Sequence, residues 1–475
     1  MVFIKQWTIL QVVNKIQMKA TEEHIIHQNL ENHRAFFATH KTKEIAFRIE
    51  QLKKLKKAIL KYQTKIEEAL WDDLHKSPEE SYLTEISIVL GEISHHIKHV
   101  KKWSKTKSVR TPMHILPSSS KVIYEPLGVS LVVAPWNYPF QLLINSLVGS
   151  ISAGTCCVLK PSPDTPTIAK VMEEMIVETF DSNYISIVQG GKETNTILFK
   201  QKFDIIFFTG SPKVGKVVMR AAAEHLTPVV LELGGKSPCI VDADANISIA
   251  AKRIVWGKLI NAGQTCIAPD YLFAHESIKE ELLKKIVDNI KEMYGENIKE
   301  SRFYPRIVNN RAIKRLQNLL AHAEIYSGGE IDIEEKFIAP TILNNVKPED
   351  LVMQDEIFGP ILPVMEFKHI NETLAYINNH EKPLAFYYFG KNKMAKEILS
   401  KTSSGGACIN DTLMHITNHH LPFGGVGNSG MGNYHGYESF LVFSNQRAVI
   451  NTPTWIDLPL KYAPFKYFKL IKKII

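Results

Sequence analysis

The sequence predicts an α/β protein with two parallel sheets and a small β arm beside them. Three observations lead there. Short runs, apolar on both faces, alternate with stretches of helical periodicity, as strands of a parallel sheet covered by helices do. Two such series follow one another along the chain. Two further strand-like segments, 121–124 and 440–450, fit neither series and can pair as an arm that reaches a second subunit.

In order along the chain, residues 21–105 read as helical, because charged and apolar positions interleave at three and four. The run 50–60 is the clearest case, and its lysines form a solvated face. Buried strands follow at 128–134, ending at Pro135, at 155–160, stopped by Pro161, and at 184–188 and 204–208. Helices at 140–153 and 165–180 lie between them. The second series has a strand at 238–241, helices near 247–259 and 278–294, and strands at 361–367, 385–389 and 407–409. The two sheets are expected to meet near Glu232.

The chain has 475 residues, 45% apolar and 22% charged, enough for two or three domains of an ordinary globular protein. Its formal charge is +8. No dense basic stripe with interleaved aromatics accompanies that charge, so nucleic acid is not an expected partner. Five cysteines, without metal or redox spacing, fit a reducing, cytoplasmic compartment. No transmembrane helix is visible. The apolar start is broken by Lys5, Gln6 and Gln11 and reads poorly as a signal peptide, and Met18 can be the true start. The tail 451–475 interleaves lysines with aromatic and aliphatic residues. It can lie as a basic amphipathic helix on a bilayer surface or pack against the body or a partner subunit.

Cys266, in Asn261-Ala262-Gly263-Gln264-Thr265-Cys266, stands thirty-four residues after Glu232, in Leu231-Glu232-Leu233-Gly234-Gly235-Lys236. A thiolate attacks carbonyl carbon, and a carboxylate within reach can activate water for a second step. The small residues around both would let a substrate approach. Taken alone, a single cysteine most often packs in a core; Cys156, Cys157, Cys239 and Cys408 are read that way. Two features suggest a nucleotide. Thr209-Gly210-Ser211-Pro212-Lys213-Val214-Gly215 leads from a strand into a helix, where free amides and the helix dipole favour phosphate, although an ordinary tight turn looks the same. Lys160 ends a strand at the side of a parallel sheet where ligands bind, though lysine is otherwise a surface residue. His95, His96 and His99 share a helix without evident carboxylate partners, so no metal is expected.

Seven runs, in order, resemble the NAD(P)-dependent aldehyde dehydrogenase superfamily: Pro135-Trp136-Asn137-Tyr138-Pro139, Lys160-Pro161-Ser162, Phe208-Thr209-Gly210-Ser211, Leu231 to Pro238, Gly263-Gln264-Thr265-Cys266, Glu356-Ile357-Phe358-Gly359-Pro360 and Pro422-Phe423-Gly424-Gly425. Asn410-Asp411 and Gly427 to Gly436 look like its class 3 and fatty-aldehyde branch. The resemblance spans about residues 30–450 and implies the following. Cys266 attacks the aldehyde, and the Asn137 amide with the Cys266 backbone N–H holds the oxyanion. Glu232 activates water to release the acid from the thioester. Lys160, Gly210, Ser211 and Gly215 bind NAD or NADP, Glu356 holds the nicotinamide ribose, and Phe358 packs by the ring. Residues 18–108 and 126–231 become a Rossmann-like dinucleotide-binding domain, 232–420 the catalytic domain, and 109–125 with 432–450 the oligomerisation arm of a homodimer.

Many NAD-preferring members carry a glutamate three residues after the lysine. Here Pro163 and then Asp164 follow, so NADP should be tolerated beside NAD. A CoA-acylating relative and a catalytically silent binding relative are the rival readings. Glu232 speaks against the first, and the joint presence of Cys266, Glu232 and Asn137 against the second. The aldehyde, whether fatty, aromatic, terpenoid or carotenoid, is left open.

Overall fold

The computed structural model describes residues 19–457, 459–465, 467–469 and 472. The expectations for residues 1–17, and for the last residues of the tail, lie outside these.

Two sheets of mostly parallel strands form the body. The first has six strands in the order Gly430–Met431, Val229–Glu232, Ile205–Thr209, Val129–Val133, Cys156–Lys160 and Ile185–Ile187. All pair in parallel except Gly430–Met431, which runs antiparallel to Val229–Glu232. The second has seven, from Ile325–Ser327 through Thr341–Leu343, Ile361–Phe367, Tyr271–His275, Pro238–Val241 and Ala385–Phe389 to Gly406–Ile409. Val129–Val133, Cys156–Lys160 and Ile205–Thr209 are buried at every position, as strands covered on both faces must be.

Nine helices matter for the site: α1 (Glu23–Ala38), α2 (Ile45–Leu74), α3 (Pro78–Ser81), α4 (Ser87–Trp103), α5 (Pro139–Ala153), α6 (Pro166–Thr179), α7 (Lys192–Lys200), α8 (Pro212–Ala223) and α9 (Ile247–Leu259). A π-helical turn, Tyr82–Ile86, joins α3 to α4. The α2 lysines Lys53, Lys54 and Lys57 are exposed, as expected of a solvated face. α5 is buried along its whole length, so it serves as the internal strut behind the first sheet.

The arm is a three-stranded antiparallel sheet of Lys107–Val109, Ser119–Pro126 and Ser444–Asn451. The two segments that fit neither series therefore pair with each other, Gln446 opposite Tyr124. One expectation needs correction. Residues 440–442 are not strand but the end of the helix Tyr437–Val442, whose Phe440 ring packs tilted against those of Trp103 and Tyr124 in the core. Aromatic and branched residues suggested extension, and burial against α5 overrode that propensity. Glu232 closes the last parallel strand of the first sheet, and its neighbours Gly234 and Gly235 carry the chain to the second.

Candidate active site

The chain carries a cavity of about 1230 Å³ between the two sheets. Asn137, Glu232, Cys266, Gly210, Ser211, Glu356 and Phe358 all line it. Residues scattered over more than two hundred positions thus converge, because strand ends of both sheets open toward this crevice.

Cys266 is half-buried, with its thiol on the cavity wall. Burial pushes the thiol well above its ordinary pKa, and the neighbouring Glu356 and Glu232 add to this. It therefore rests as a neutral thiol at pH 7, and a nearby positive charge would favour the thiolate. The turn before it is unusual. Asn261, Ala262 and Gly263 have φ of 52°, 51° and 74°. A side chain at Gly263 would place its Cβ 2.3 Å from the Gly359 carbonyl oxygen, so glycine is required there. This left-handed turn breaks the chain away from α9 and aims Cys266 into the crevice.

Asn137 is 2% exposed. Its Nδ2 donates to the Gln264 carbonyl at 3.0 Å. That nitrogen carries two protons, so one remains for an oxyanion beside Cys266. Glu232 is 3% exposed, and among the described residues neither carboxyl oxygen has a hydrogen-bond partner. Burial raises its pKa well above the ordinary carboxylate value. The nearby Tyr434 hydroxyl is also buried and without a partner among the described residues.

At the turn expected to meet a dinucleotide, Ser211 caps α8, its hydroxyl accepting from the Val214 amide at 3.4 Å, and Pro212 occupies the first helical position. Gly210 leaves room beside the Phe208 ring, whose Cζ would lie 2.6 Å from an added Cβ. Gly234 does the same for Glu356, whose Oε2 would be 1.9 Å from an added Cβ. Burial, reinforced by Asp270, pushes Glu356 up to about 8. Arg315 donates to the Ile357 carbonyl, and Lys236 bridges Asp270 to the Val352 and Asp355 carbonyls, pinning the loop that carries Glu356. Phe358 sits at φ 48° with its ring edge-on to Trp136, 5.4 Å between centroids. An exposed helix N-terminus, a glycine-cleared wall and an aromatic pair fit a dinucleotide.

Two expected cofactor residues stand back from the cavity. Lys160 is 1% exposed and its Nζ donates to the Pro161 carbonyl at 2.7 Å; burial lowers it to about 8. Gly215 is on the buried face of α8, where an added Cβ would meet Leu233 at 2.8 Å, so it lets the helix pack closely on the segment after the Val229–Glu232 strand. Cys156, Cys157 and Cys239 are buried, as expected of packing residues. Cys408 is half-buried, 3.2 Å from His415 Nδ1, and burial pushes its thiol up to about 11.

Sequence reasoning missed several side chains that frame the site. Leu83, Ile88, Trp256, Leu413 and Phe423 add apolar side chains to the cavity wall. Lys76 and Glu85 are 0% exposed and ion-paired at 2.6 Å behind Asn137. Helical periodicity in the first hundred residues hid them among solvated charges. The histidine reading is corrected in one respect: Glu92 is a carboxylate partner, accepting from His96 Nε2 at 2.9 Å and His419 Nδ1 at 2.6 Å. Among the described residues no cluster has the arrangement of a metal site.

The description "aldehyde dehydrogenase family" belongs to the family model that matches residues 10–449. The chain is 48% identical over 452 residues to the 4,4'-diaponeurosporen-aldehyde dehydrogenase of Staphylococcus aureus, covering 94% of this chain and 98% of that protein. It is 45% identical to aldehyde dehydrogenase family 3 member A2 of Macaca fascicularis, over 87% of this chain and 86% of the relative. The dimeric NADP-preferring aldehyde dehydrogenase of Canis lupus familiaris is 43% identical, over 90% and 95%. A solved structure, the substrate-bound state of Staphylococcus aureus AldH, superposes with a TM-score of 0.93 at 46% identity, over 94% of this chain and 99% of that one.

Proposed function

The chain belongs to the aldehyde dehydrogenase family and is an oxidoreductase that converts aldehydes to carboxylic acids, and from that premise we propose the residues that carry each step. Cys266 Sγ attacks the carbonyl carbon as its thiol proton passes to water in the open crevice and on to solvent. The carbonyl oxygen gains the negative charge, which the free Asn137 Nδ2 proton and the Cys266 amide stabilise. One such donor contributes about 3 kcal/mol to the transition state. Gly210, Ser211, Glu356 and Phe358 would hold NAD or NADP, which accepts the hydride and, as the oxidised cation, favours the thiolate. Loss of hydride leaves a thioester on Cys266. Glu232 then takes a proton from water as that water attacks the thioester carbon, and the C–S bond breaks to release the acid.

The observation that carries this reading is the opening of Cys266 onto one crevice shared with Asn137, Glu232 and the α8 N-terminus. A basic carboxylate beside the thioester favours water as the acceptor, and no feature of the site favours acyl transfer to coenzyme A. The apolar side chains of the cavity wall support an apolar aldehyde. The domain roles follow: the first sheet with α1–α8 binds the dinucleotide, and the second supplies Cys266.

A homodimer is supported by the relative named as dimeric and by exposed apolar side chains on α8, Val214, Val217 and Met219. Among the described residues no helix is long and apolar enough to cross a membrane. Exposed Trp455, Phe465 and Phe468 beside Lys461, Lys469 and Lys472 support contact of the tail with an anionic bilayer surface from the cytoplasm. The test is a panel of aldehydes of increasing chain length, assayed with both cofactors, with and without coenzyme A, and with product identification. A free acid, and efficiency that rises with chain length, are expected; a CoA thioester or a preference for short polar aldehydes would overturn the reading.

A further inference from the structure

Behind the oxyanion pocket lies a buried charged network that the reaction itself does not use. It begins on the segment from α3 through the π-helical turn, a distortion that often marks functional positions. Glu85, in that turn, accepts the Phe140 and Gln141 amides at 2.9 and 3.1 Å through Oε2, closing the N-terminus of α5. Lys76, paired to Glu85 Oε1, donates to the Asn137 carbonyl at 3.3 Å and lies 4.4 Å above the Tyr138 ring. The Asn261 side chain donates to that same Asn137 carbonyl at 2.7 Å and to the Gln264 carbonyl at 3.1 Å. Asn261 thus ties the loop of one oxyanion donor to the loop of the other.

Asn261 is itself held from outside. It stands in the left-handed region at φ 52°, which costs a non-glycine residue of order 1 kcal/mol or more. Its backbone amide donates to Glu80 Oε1 at 2.8 Å, across 181 residues of chain. We propose that Glu80 is a positioning residue for the oxidation: its carboxyl oxygen holds the Asn261 amide and so fixes Asn137 against the Gln264–Cys266 turn. This rests on the roles proposed above for Asn137 and Cys266. What matters is an acceptor oxygen at the reach of a glutamate, not a charge. Burial raises Glu80 to about 7, with Lys76 opposing the shift, and either protonation state presents an oxygen to the amide.

Two substitutions separate reach from charge. Glu80→Gln keeps the acceptor in place without the charge. Glu80→Asp keeps the charge but withdraws the oxygen by about 1.5 Å, one C–C bond, beyond hydrogen-bond distance of Asn261. The readout is the single-turnover rate of NAD(P)H formation with enzyme in excess, beside the dissociation constant for NAD(P)H. E80D should form NAD(P)H at least fivefold more slowly than the parent, E80Q at least fivefold faster than E80D, and both should bind the dinucleotide within threefold of the parent. An E80D rate within fivefold of the parent, or an E80Q rate as low as E80D, overturns the proposal. So does loss of dinucleotide binding in E80D, since the contact would then hold the fold rather than the catalytic turn. If the parent itself forms no thioacyl adduct on Cys266, the underlying reading has failed; a normal parent with a fast E80D sinks only the role of Glu80.

Discussion

The backbone amide of Gly210 donates to the carbonyl oxygen of Glu232 at 2.9 Å. The turn that leads into the dinucleotide end of the crevice is therefore fastened to the strand end that carries the carboxylate. A side chain at Gly210 would press on the Phe208 ring and displace the turn. Gly210→Ala should weaken NAD(P)H binding about tenfold, close to 1.4 kcal/mol. It should also slow turnover, because Glu232 moves with the turn. Fluorescence titration and steady-state kinetics check both. Unchanged affinity would mean that the turn does not bear on the cofactor.

Cys266→Ala should abolish aldehyde oxidation while leaving NAD(P)H affinity within threefold, since the thiol and the α8 N-terminus are separate parts of the cavity lining. Asn137→Ala should lower the single-turnover rate by about 10² to 10³, the loss expected for one oxyanion donor. Part of that loss would come from slackening at Gln264, whose carbonyl accepts from Asn137. Asn137→Asp supplies the control: it keeps the size, removes the donor and should be no faster than Ala.

The strands most legible in the sequence were those buried on both faces. Ile205–Thr209 and Val129–Val133 are continuous apolar runs flanked by turn residues, and both were placed within two residues. Tyr271–His275 was missed, because a strand ending in a half-exposed histidine directly before a helix has little pattern of its own. Thr341–Leu343 has only three residues and no period to read. At the site, Cys266 and Glu232 stand out in the sequence because each lies in a contiguous run rich in small residues, and Asn137 because it sits in the run Pro135-Trp136-Asn137-Tyr138-Pro139; all three line the cavity. Lys76, Glu80 and Glu85 do not. Lys76 and Glu85 pair with each other, but the backbone groups that all three hold, on Asn137, Phe140, Gln141 and Asn261, lie far away in the chain, and from the sequence alone they look like the exposed lysines and glutamates around them.

Glu232→Gln should let Cys266 acylate and then stall. The expected record is one equivalent of NAD(P)H per site and a thioacyl adduct visible by mass spectrometry; unchanged steady-state turnover would remove Glu232 from the hydrolytic step. Stability offers an independent check. The folded pKa of Glu232 lies above its unfolded value of about 4.3, so the folded protein holds a proton that the unfolded chain has lost. The corresponding stability is fully present below about pH 4.3 and is lost as pH rises through the folded value. Gln carries no such penalty, so Tm of Glu232→Gln minus Tm of the parent should grow from pH 5 to pH 9.

The resemblance puts Pro163 at the position where many NAD-preferring members carry a glutamate, a carboxylate that would repel a 2′-phosphate, and Pro163 is exposed beside Ser162 just after the Cys156–Lys160 strand. Catalytic efficiency with NADP should therefore lie within a hundredfold of that with NAD, a gap of less than about 2.7 kcal/mol. Pro163→Glu should widen the gap in favour of NAD. A parent that already discriminates more strongly would show that Asp164, or another group, does the excluding.

Glu92 gathers His96 on its own helix, His419 from the segment just after the cavity-lining residues Leu413, Met414, Ile416 and Thr417, and the Gly436 amide at 2.6 Å. Burial alone would raise its pKa, but the hydrogen bonds from His419 and His96 more than reverse this and hold it well below the carboxylate range. His419 moves the other way, raised mainly by its bond to Glu92 and opposed by partial burial. His435, also packed here, is lowered to about 4, first by burial, and His95 likewise. The Glu92 contribution to stability is present above about pH 4.3 and lost as pH falls through its depressed value; the His419 contribution is present below about pH 6.5 and lost as pH rises through its raised value. Both are in force together near pH 5 to 6. Glu92→Gln should therefore lower Tm most in that window, and less once the pH has risen past the raised value of His419. A Tm deficit that is flat from pH 5 to 8 would mean that the node acts by packing alone.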